Sequence, residues 1–182
     1  MARRDAFPLL GDHNVANALA ASLALHAVGV DHGTLAGGLA SFRGLPHRLE
    51  PVREVGGVLW INDSKATNVS STRVALQAMT RPFVLLLGGR HKGEPHSSLI
   101  EPFRTHGVAV VAYGESGDIV EHDLTGSVPV VRATSFEDVM ATAARLARAG
   151  SAVLLSPACS SYDMFDNYEQ RGAVFRALVE AM

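Results

Sequence analysis

The sequence predicts a doubly wound α/β domain, with a mostly parallel sheet, helices on both faces and an antiparallel hairpin strand at one edge. Three observations carry this. Short apolar runs of strand length alternate with helical stretches from residue 83 to the C-terminus, the pattern of βα units. The run Phe83-Val84-Leu85-Leu86-Leu87 is wholly apolar and stops at Gly88-Gly89, as expected of a parallel strand buried on both faces. Gly56-Gly57 separates 48–55 from 58–61, which reads as a hairpin closed by a two-residue turn.

The elements ahead of this domain differ. Residues 13–28 are rich in Ala and Leu, unbroken by Pro or Gly, and followed by Gly29. They predict a helix with a sharp C-terminal stop, apolar around most of its circumference and therefore buried. A second helix is expected through Phe42, capped by Thr34 and ended by Gly44-Leu45-Pro46. Two such helices cannot enclose a core by themselves, so they are read as part of a larger unit, with a boundary near Pro46. Beyond the hairpin, helices are expected at 69–79, 97–105, 117–123, 136–149 and 168–182, with strands at 83–87, 108–112, 128–131 and 152–156. Ser135 and Asp138 are spaced as a capping pair.

At 182 residues, 47% hydrophobic and 19% charged, the chain has room for one full domain, or for one domain with a fragment of another. A net charge of −2 without a basic run argues against nucleic acid as a partner. The single cysteine, Cys159, excludes an internal disulfide and suits a reducing compartment. Neither a signal-peptide core nor a run of membrane-spanning length occurs, so a soluble, cytoplasmic protein is expected.

In such a fold, ligands gather at the carboxyl ends of the strands, and four of those ends carry unusual residues. After Ile61 stand Asn62, Asp63, Ser64, Lys65, Thr67 and Asn68; Asp63 and Lys65, two apart, could serve one site. After Leu87 comes G-G-R-H-K, with glycines that allow backbone approach to a ligand and Lys92 as a cation. After Val111 come Ala112, Tyr113, Gly114 and Glu115. After Leu155 runs the long S-P-A-C-S-S-Y-D-M-F-D-N-Y-E-Q-R-G loop. Its hydroxyls, Asn167 and the aromatics Tyr162, Phe165 and Tyr168 suit a small polar ligand. Together these suggest an anion site with Lys65 and Lys92 as charges and Thr67 and Ser161 as neutral donors. A plainer reading stands beside it: Asn68 caps a helix, Gly-Gly is only a turn, and the rest is solvated. No P-loop, G-x-G-x-x-G or G-x-S-x-G string is present, no histidine is placed by position as a partner for a nucleophile among Ser156, Cys159, Ser160 and Ser161, and the eight histidines lack zinc spacing. His13, Asn14 and Asn17 mark a helix start, where an amide either contacts a ligand or caps.

Five strings in order, G-D-H-N-V-A-N at 11–17, F-R-G-L-P-H-R-L-E at 42–50, W-I-N-D-S-K-A-T-N at 60–68, L-L-L-G-G-R-H-K at 85–92 and the 154–172 loop, resemble the Mur ligases of peptidoglycan synthesis, and within that family the branch that adds D-glutamate. The resemblance covers only the later part of such an enzyme. It implies that residues 1–45 are the last helices of a central ATPase domain and 46–182 a C-terminal, Rossmann-like amino-acid-binding domain. The P-loop, the main magnesium ligands and a carbamylated lysine would belong to the part absent here.

The resemblance implies residue roles too. Asn17, with Asn14, would face the adenine of ATP; Arg48 and Asp63 would contact its phosphate and ribose; Lys65 would lie near the transferred phosphate, with Arg48 also catalytic. Thr67 and Lys92 would hold the α-carboxylate of D-glutamate, and Ser161 with Tyr162 and Tyr168 its side-chain carboxylate, Tyr168 standing where the family often has Phe. No protein metal ligand is implied in this chain, although ATP and Mg2+ are cofactors of the family. ATP would phosphorylate UDP-N-acetylmuramoyl-L-alanine and D-glutamate would attack the acyl phosphate. Such a step needs cations and positioning more than a protein nucleophile. As a fragment the chain would be inactive alone and could self-associate through the apolar side of its first helix. The alternative is a non-catalytic Rossmann-like module that binds a small anion.

Overall fold

The computed structural model describes residues 9–182. The chain divides after Leu45 into two compact units.

The first unit holds α1 (Asp12–Ala27) and α2 (His32–Ser41). α1 ends in a Schellman arrangement, with Gly29 N–H bonded to His26 O and Val30 N–H to Leu25 O, Gly29 taking the left-handed conformation at φ 92°. Asp31, rather than Thr34, caps α2: its Oδ1 accepts from the N–H of Gly33 and of Thr34, at 2.9 and 3.1 Å. A carboxylate one residue before the helix outcompetes a hydroxyl inside it, so α2 begins three residues earlier than expected. The expected burial of α1 is not found: it has no buried residue, and Leu19, Leu23 and Val28 are 61%, 70% and 78% exposed. Two helices offer too few apolar neighbours to cover one whose apolar residues run round most of its circumference.

The second unit is a six-stranded sheet in the order β1-β2-β6-β3-β4-β5. Its strands are β1 (Glu50–Val55), β2 (Val58–Asn62), β3 (Phe83–Gly88), β4 (Gly107–Tyr113), β5 (Val130–Arg132) and β6 (Ala152–Leu155). β1 pairs antiparallel with β2 across Gly56 and Gly57, both at positive φ, as a two-residue hairpin turn demands. All other pairings are parallel. All six residues of β3 are buried.

The helices are α3 (Val69–Gln77), α4 (Ile100–Arg104), α5 (Gly117–Leu124), α6 (Phe136–Leu146) and α7 (Tyr168–Glu180). One sheet face, built from Trp60, Val84, Leu86, Val111, Val153 and Leu155, packs against Phe136, Val139 and Met140 of α6 and Phe175 and Val179 of α7. Leu85, Leu87 and Val110 point the other way, to Leu99, Phe103 and Leu124, and Phe83 meets Phe103 edge-on at 5.6 Å. This period-two alternation within an all-apolar run is what coverage on both faces requires.

Among the boundaries that differ from the sequence expectation, three have a clear backbone cause or consequence. β1 starts at Glu50 because His47 and Leu49 hold φ of 63° and 42°, conformations that no strand contains. The helix expected at 97–105 is split into a 3-10 turn, His96–Leu99, and the short α4. α6 stops at Leu146 because Ala147 turns extended. The Ser135 cap is present, accepting from Asp138 N–H at 3.1 Å.

Candidate functional site

Because β2, β6, β3 and β4 run parallel, their carboxyl ends form one edge, and the four polar clusters after them come together there. The loop after β6 leads to α7, which packs beside β1 and β2, while the loop after β3 leads toward β4. Loops that leave neighbouring strands for opposite ends of the sheet mark its topological switch point, the place where α/β folds hold ligands.

Backbone hydrogen bonds weave these loops into one layer. Ala158 N–H donates to Ala66 O, Gly88 N–H to Pro157 O, Arg90 N–H to Ser160 O and Ser116 N–H to Gly89 O, at 2.8 to 3.1 Å. The glycines serve this weave. A Cβ on Gly88 would stand 2.1 Å from Tyr113 O, and one on Gly89 2.2 Å from Ser160 O. The close approach they permit here is to the chain's own carbonyls.

In the cluster after β2, Asn62, Asp63 and Ser64 are buried while Lys65 and Thr67 are half-buried. Asp63, 7% exposed, turns inward: its Oδ1 accepts from Leu49 N–H at 3.1 Å and its Oδ2 from Ser156 Oγ at 2.8 Å. Lys65 turns elsewhere, donating from Nζ to the Tyr168 hydroxyl at 2.8 Å. The expectation that these two charges share one site is thus not met; their backbones are two residues apart, but their side chains serve different partners. Asn68 caps α3, accepting from Ser71 N–H at 2.8 Å, as the plainer reading had it.

Asp63 fixes the loop that carries Arg48. That loop is further held by His47 N–H donating to Glu50 Oε2 and by Lys65 N–H donating to His47 O, and Arg48 itself is exposed. Burial pushes the Asp63 carboxyl up to about 7, against the opposing pulls of Ser156, Leu49 N–H and the Arg48 charge. An acid raised in the folded state favours folding while protonated, so its contribution falls as pH rises from about 4 through about 7. Asp63→Asn should flatten that fall, since its amide can accept from Leu49 and donate to Ser156. Urea midpoints at pH 5 and pH 8 would show it; an equal pH dependence in both proteins would contradict the assignment. His96, lowered from 6.5 by burial, acts oppositely, losing stability as pH falls, and cancels in the comparison.

Arg171, fully buried, binds the edge together. Its Nε donates to Ser64 Oγ at 3.0 Å, Nη2 to Ser64 O at 2.8 Å and Nη1 to Cys159 O at 3.2 Å. Ser64 Oγ donates in turn to Tyr168 O at 2.8 Å. One guanidinium thus joins the loops after β2 and β6 to α7. Asn62 Nδ2 adds a bond to Gly172 O at 3.2 Å.

The remaining expected residues divide by place. Ser161 is buried, its carbonyl receiving Met164 and Phe165 N–H. Lys92 and Tyr162 are exposed, and Lys92 makes no hydrogen bond or ion pair among the described residues. Phe165 does not face a ligand edge: it packs edge-on against Phe136, ring centroids 5.0 Å apart, because the loop folds back over α6. Asn14 and Asn17 lie in the first unit; Asn14 Nδ2 donates to Leu10 O at 2.8 Å and Asn17 is exposed.

Cys159 does have a histidine partner, contrary to expectation. His96 Nε2 stands 3.7 Å from its Sγ, and Asp123 Oδ2 lies 3.1 Å from His96 Nδ1. The two residues are 63 positions apart, too far for the sequence to pair them. Both are fully buried, and burial pushes the thiol up and the imidazole down. This is a neutral, closed contact without the exposed thiolate that a nucleophile needs. Among the described residues no group of three His, Cys, Asp or Glu could hold a metal ion, and no helix is long and apolar enough to cross a membrane. Arg48, Lys65 and Lys92 are the groups suited to phosphate or carboxylate.

The Mur ligase, glutamate ligase domain family matches residues 47–159. The UDP-N-acetylmuramoylalanine–D-glutamate ligase of Salinibacter ruber is 47% identical over 180 residues, covering 98% of this chain and 39% of the relative. The ligase of the same name from Myxococcus xanthus is 43% identical over 174 residues, covering 96% and 38%. This chain therefore spans about two fifths of the length of these relatives. Among solved structures, the UDP-N-acetylmuramate-alanine ligase of Thermotoga maritima superposes with a TM-score of 0.71 at 17% identity, over 95% of this chain and 39% of the other, which shows a shared fold. A parallel sheet with an antiparallel edge hairpin, the polar layer at its strand ends and the match over 47–159 agree: the chain belongs to the Mur ligase family.

Proposed function

We infer that this chain is the amino-acid-accepting part of an ATP-dependent ligase that joins D-glutamate to UDP-N-acetylmuramoyl-L-alanine through an acyl phosphate. The observation that carries the reading is the gathering of Lys65, Thr67, Lys92 and Ser161 on loops of one sheet edge, in a chain 47% identical to a ligase of that name. Lys92 and Thr67 take the α-carboxylate of D-glutamate, and Ser161 with Tyr162 and Tyr168 its side-chain carboxylate. Lys65 and Arg48 meet the transferred phosphate, and Asn14 and Asn17 the adenine. Asp63, turned inward onto Leu49, contributes by fixing the Arg48 loop, with nucleotide contact falling to Arg48. A Mycobacterium tuberculosis folylpolyglutamate synthase of the same fold, at TM-score 0.67, was solved with ADP, which supports ATP as the phosphoryl donor. Exposed Arg48 and half-buried Lys65 fit its phosphates; Mg2+, which neutralises phosphate charge when bound, finds no ligand cluster among the described residues, and its ligands are assigned to the preceding part of the ligase.

The amine of D-glutamate attacks an acyl phosphate whose charge grows in the tetrahedral state. Cations already in place stabilise that charge without reorganisation, and loops tied by a common hydrogen-bond layer keep the amine in line. In the complete ligase, Lys92→Ala should raise KM for D-glutamate by about 10- to 100-fold, the loss of one charge-assisted hydrogen bond of about 1.5–3 kcal/mol. An unchanged KM would remove Lys92 from the site.

A further inference from the structure

The geometry points to Tyr168 as a positioning residue for Lys65: its hydroxyl and ring hold the ammonium at a fixed point of the anion-binding edge. Tyr168 is the first residue of α7, after the Asn167 cap, and both its ends are tied to consecutive residues of the loop after β2. Ser64 Oγ donates to its carbonyl at 2.8 Å, and Lys65 Nζ donates to its hydroxyl at 2.8 Å. The same Nζ lies 4.3 Å from the ring centroid, within the range of cation–π attraction. His47, next to Arg48, meets the ring edge-on at 5.9 Å. The Glu169 carboxylate is drawn below its usual range first by the Tyr168 hydroxyl, with Lys65 and His47 adding to the pull.

A phenol oxygen can accept from one group while donating to another, so the Tyr168 hydroxyl that accepts from Lys65 keeps its own proton to donate. Phenylalanine would leave Lys65 only the ring face. One of the three ammonium N–H groups is used by the phenol, and two remain for an anionic ligand such as a phosphoryl oxygen. A lysine on a flexible four-carbon stem would otherwise spread its charge over many rotamers. Held this way, it presents a point charge beside the wall assigned to the amino acid. The positioning is a property of this chain; its value for catalysis rests on the ligase reading.

Lys65 and Lys92 are the only two lysines of the sequence, so limiting acetylation with acetic anhydride, read by mass spectrometry, reports each against the other. Exposed Lys92 is the internal reference. In Tyr168→Phe the Lys65-to-Lys92 labelling ratio should rise roughly fivefold, the release of a hydrogen bond to a charged group. In Tyr168→Leu it should rise further as the ring contact is lost, with unchanged far-UV circular dichroism showing that each variant is folded. An unchanged ratio in both variants overturns the positioning. In the complete ligase, Tyr168→Phe should lower kcat more than it raises KM for D-glutamate. A raised KM at constant kcat, with the labelling ratio unchanged, would make Tyr168 a wall only and overturn the proposal. A raised labelling ratio with unaltered kinetics would uphold the positioning and instead remove Lys65 from the ligase chemistry.

Discussion

Arg171→Ala is expected to be among the most damaging single changes in this domain. The side chain is fully buried, and its hydrogen bonds run to Ser64 Oγ, Ser64 O and Cys159 O. Truncation removes all three and leaves two buried carbonyls short of a donor, at about 1–3 kcal/mol for each unsatisfied group. It also leaves a void the size of a guanidinium. A loss of about 4 kcal/mol is a large part of the 5–15 kcal/mol that holds an ordinary domain together. For a chain of this size the midpoint of thermal unfolding should fall by about 10 °C or more. Lysine at this position keeps the charge without the planar fork, so Arg171→Lys should recover only part of the loss. A midpoint within a degree of the parent protein would show that Arg171 is not the clamp. Ser64 and Tyr168 depend on that clamp, so partial loss should also loosen Lys65.

Gly88→Ala should be nearly as costly, for a different reason. Gly88 has φ 151°, and an added Cβ would come within 2.1 Å of Tyr113 O. That oxygen is backbone, fixed by the pairing of Gly88 with Tyr113 across β3 and β4 and by the N–H of Gly89 at 3.3 Å. Relief requires the two strands to part at the edge that carries the site. The expected loss is on the order of 3–5 kcal/mol, the range of severe backbone strain combined with overpacking. Gly56→Ala supplies the control: it also has positive φ, 57°, but nothing within 4 Å of its Cβ. There only the left-handed penalty of about 1–2 kcal/mol applies. Similar urea midpoints for the two variants would mean that conformation, rather than the approach of Tyr113, makes Gly88 necessary.

Positions in this fold differ in how plainly the sequence announces them. The strand β3 was legible because burial on both faces leaves an unbroken apolar run. The hairpin was legible because two adjacent glycines meet the turn's demand for positive φ. The Asn68 and Ser135 caps follow from local rules. Arg171 was hidden: an arginine inside a helical stretch normally faces water, and only the folding of α7 onto the loops after β2 and β6 turns it inward. Position alone could not join Cys159 to His96. The inward turn of Asp63 depends on Leu49 N–H, presented by a left-handed residue that has no glycine to announce it. The Gly88-Gly89 pair announces its flexibility in the sequence, while the carbonyls of Tyr113 and Ser160 that approach it come from distant parts of the chain. The lysines, Thr67 and Ser161 stood out because polar residues directly after apolar strands collect at one edge in a parallel sheet; which of them faces a neighbour rather than a ligand is tertiary information.

The most direct test is phosphate release from ATP that depends on both D-glutamate and UDP-N-acetylmuramoyl-L-alanine. The 182-residue chain would be compared with the same reading frame extended upstream to the length of the related ligases. Release in the extended protein alone, abolished when either acceptor substrate is omitted, is the expected result and would mark this chain as the acceptor part of the enzyme. No release from the extended protein, with binding of a small anion retained, would contradict the ligase reading and leave a binding module in its place.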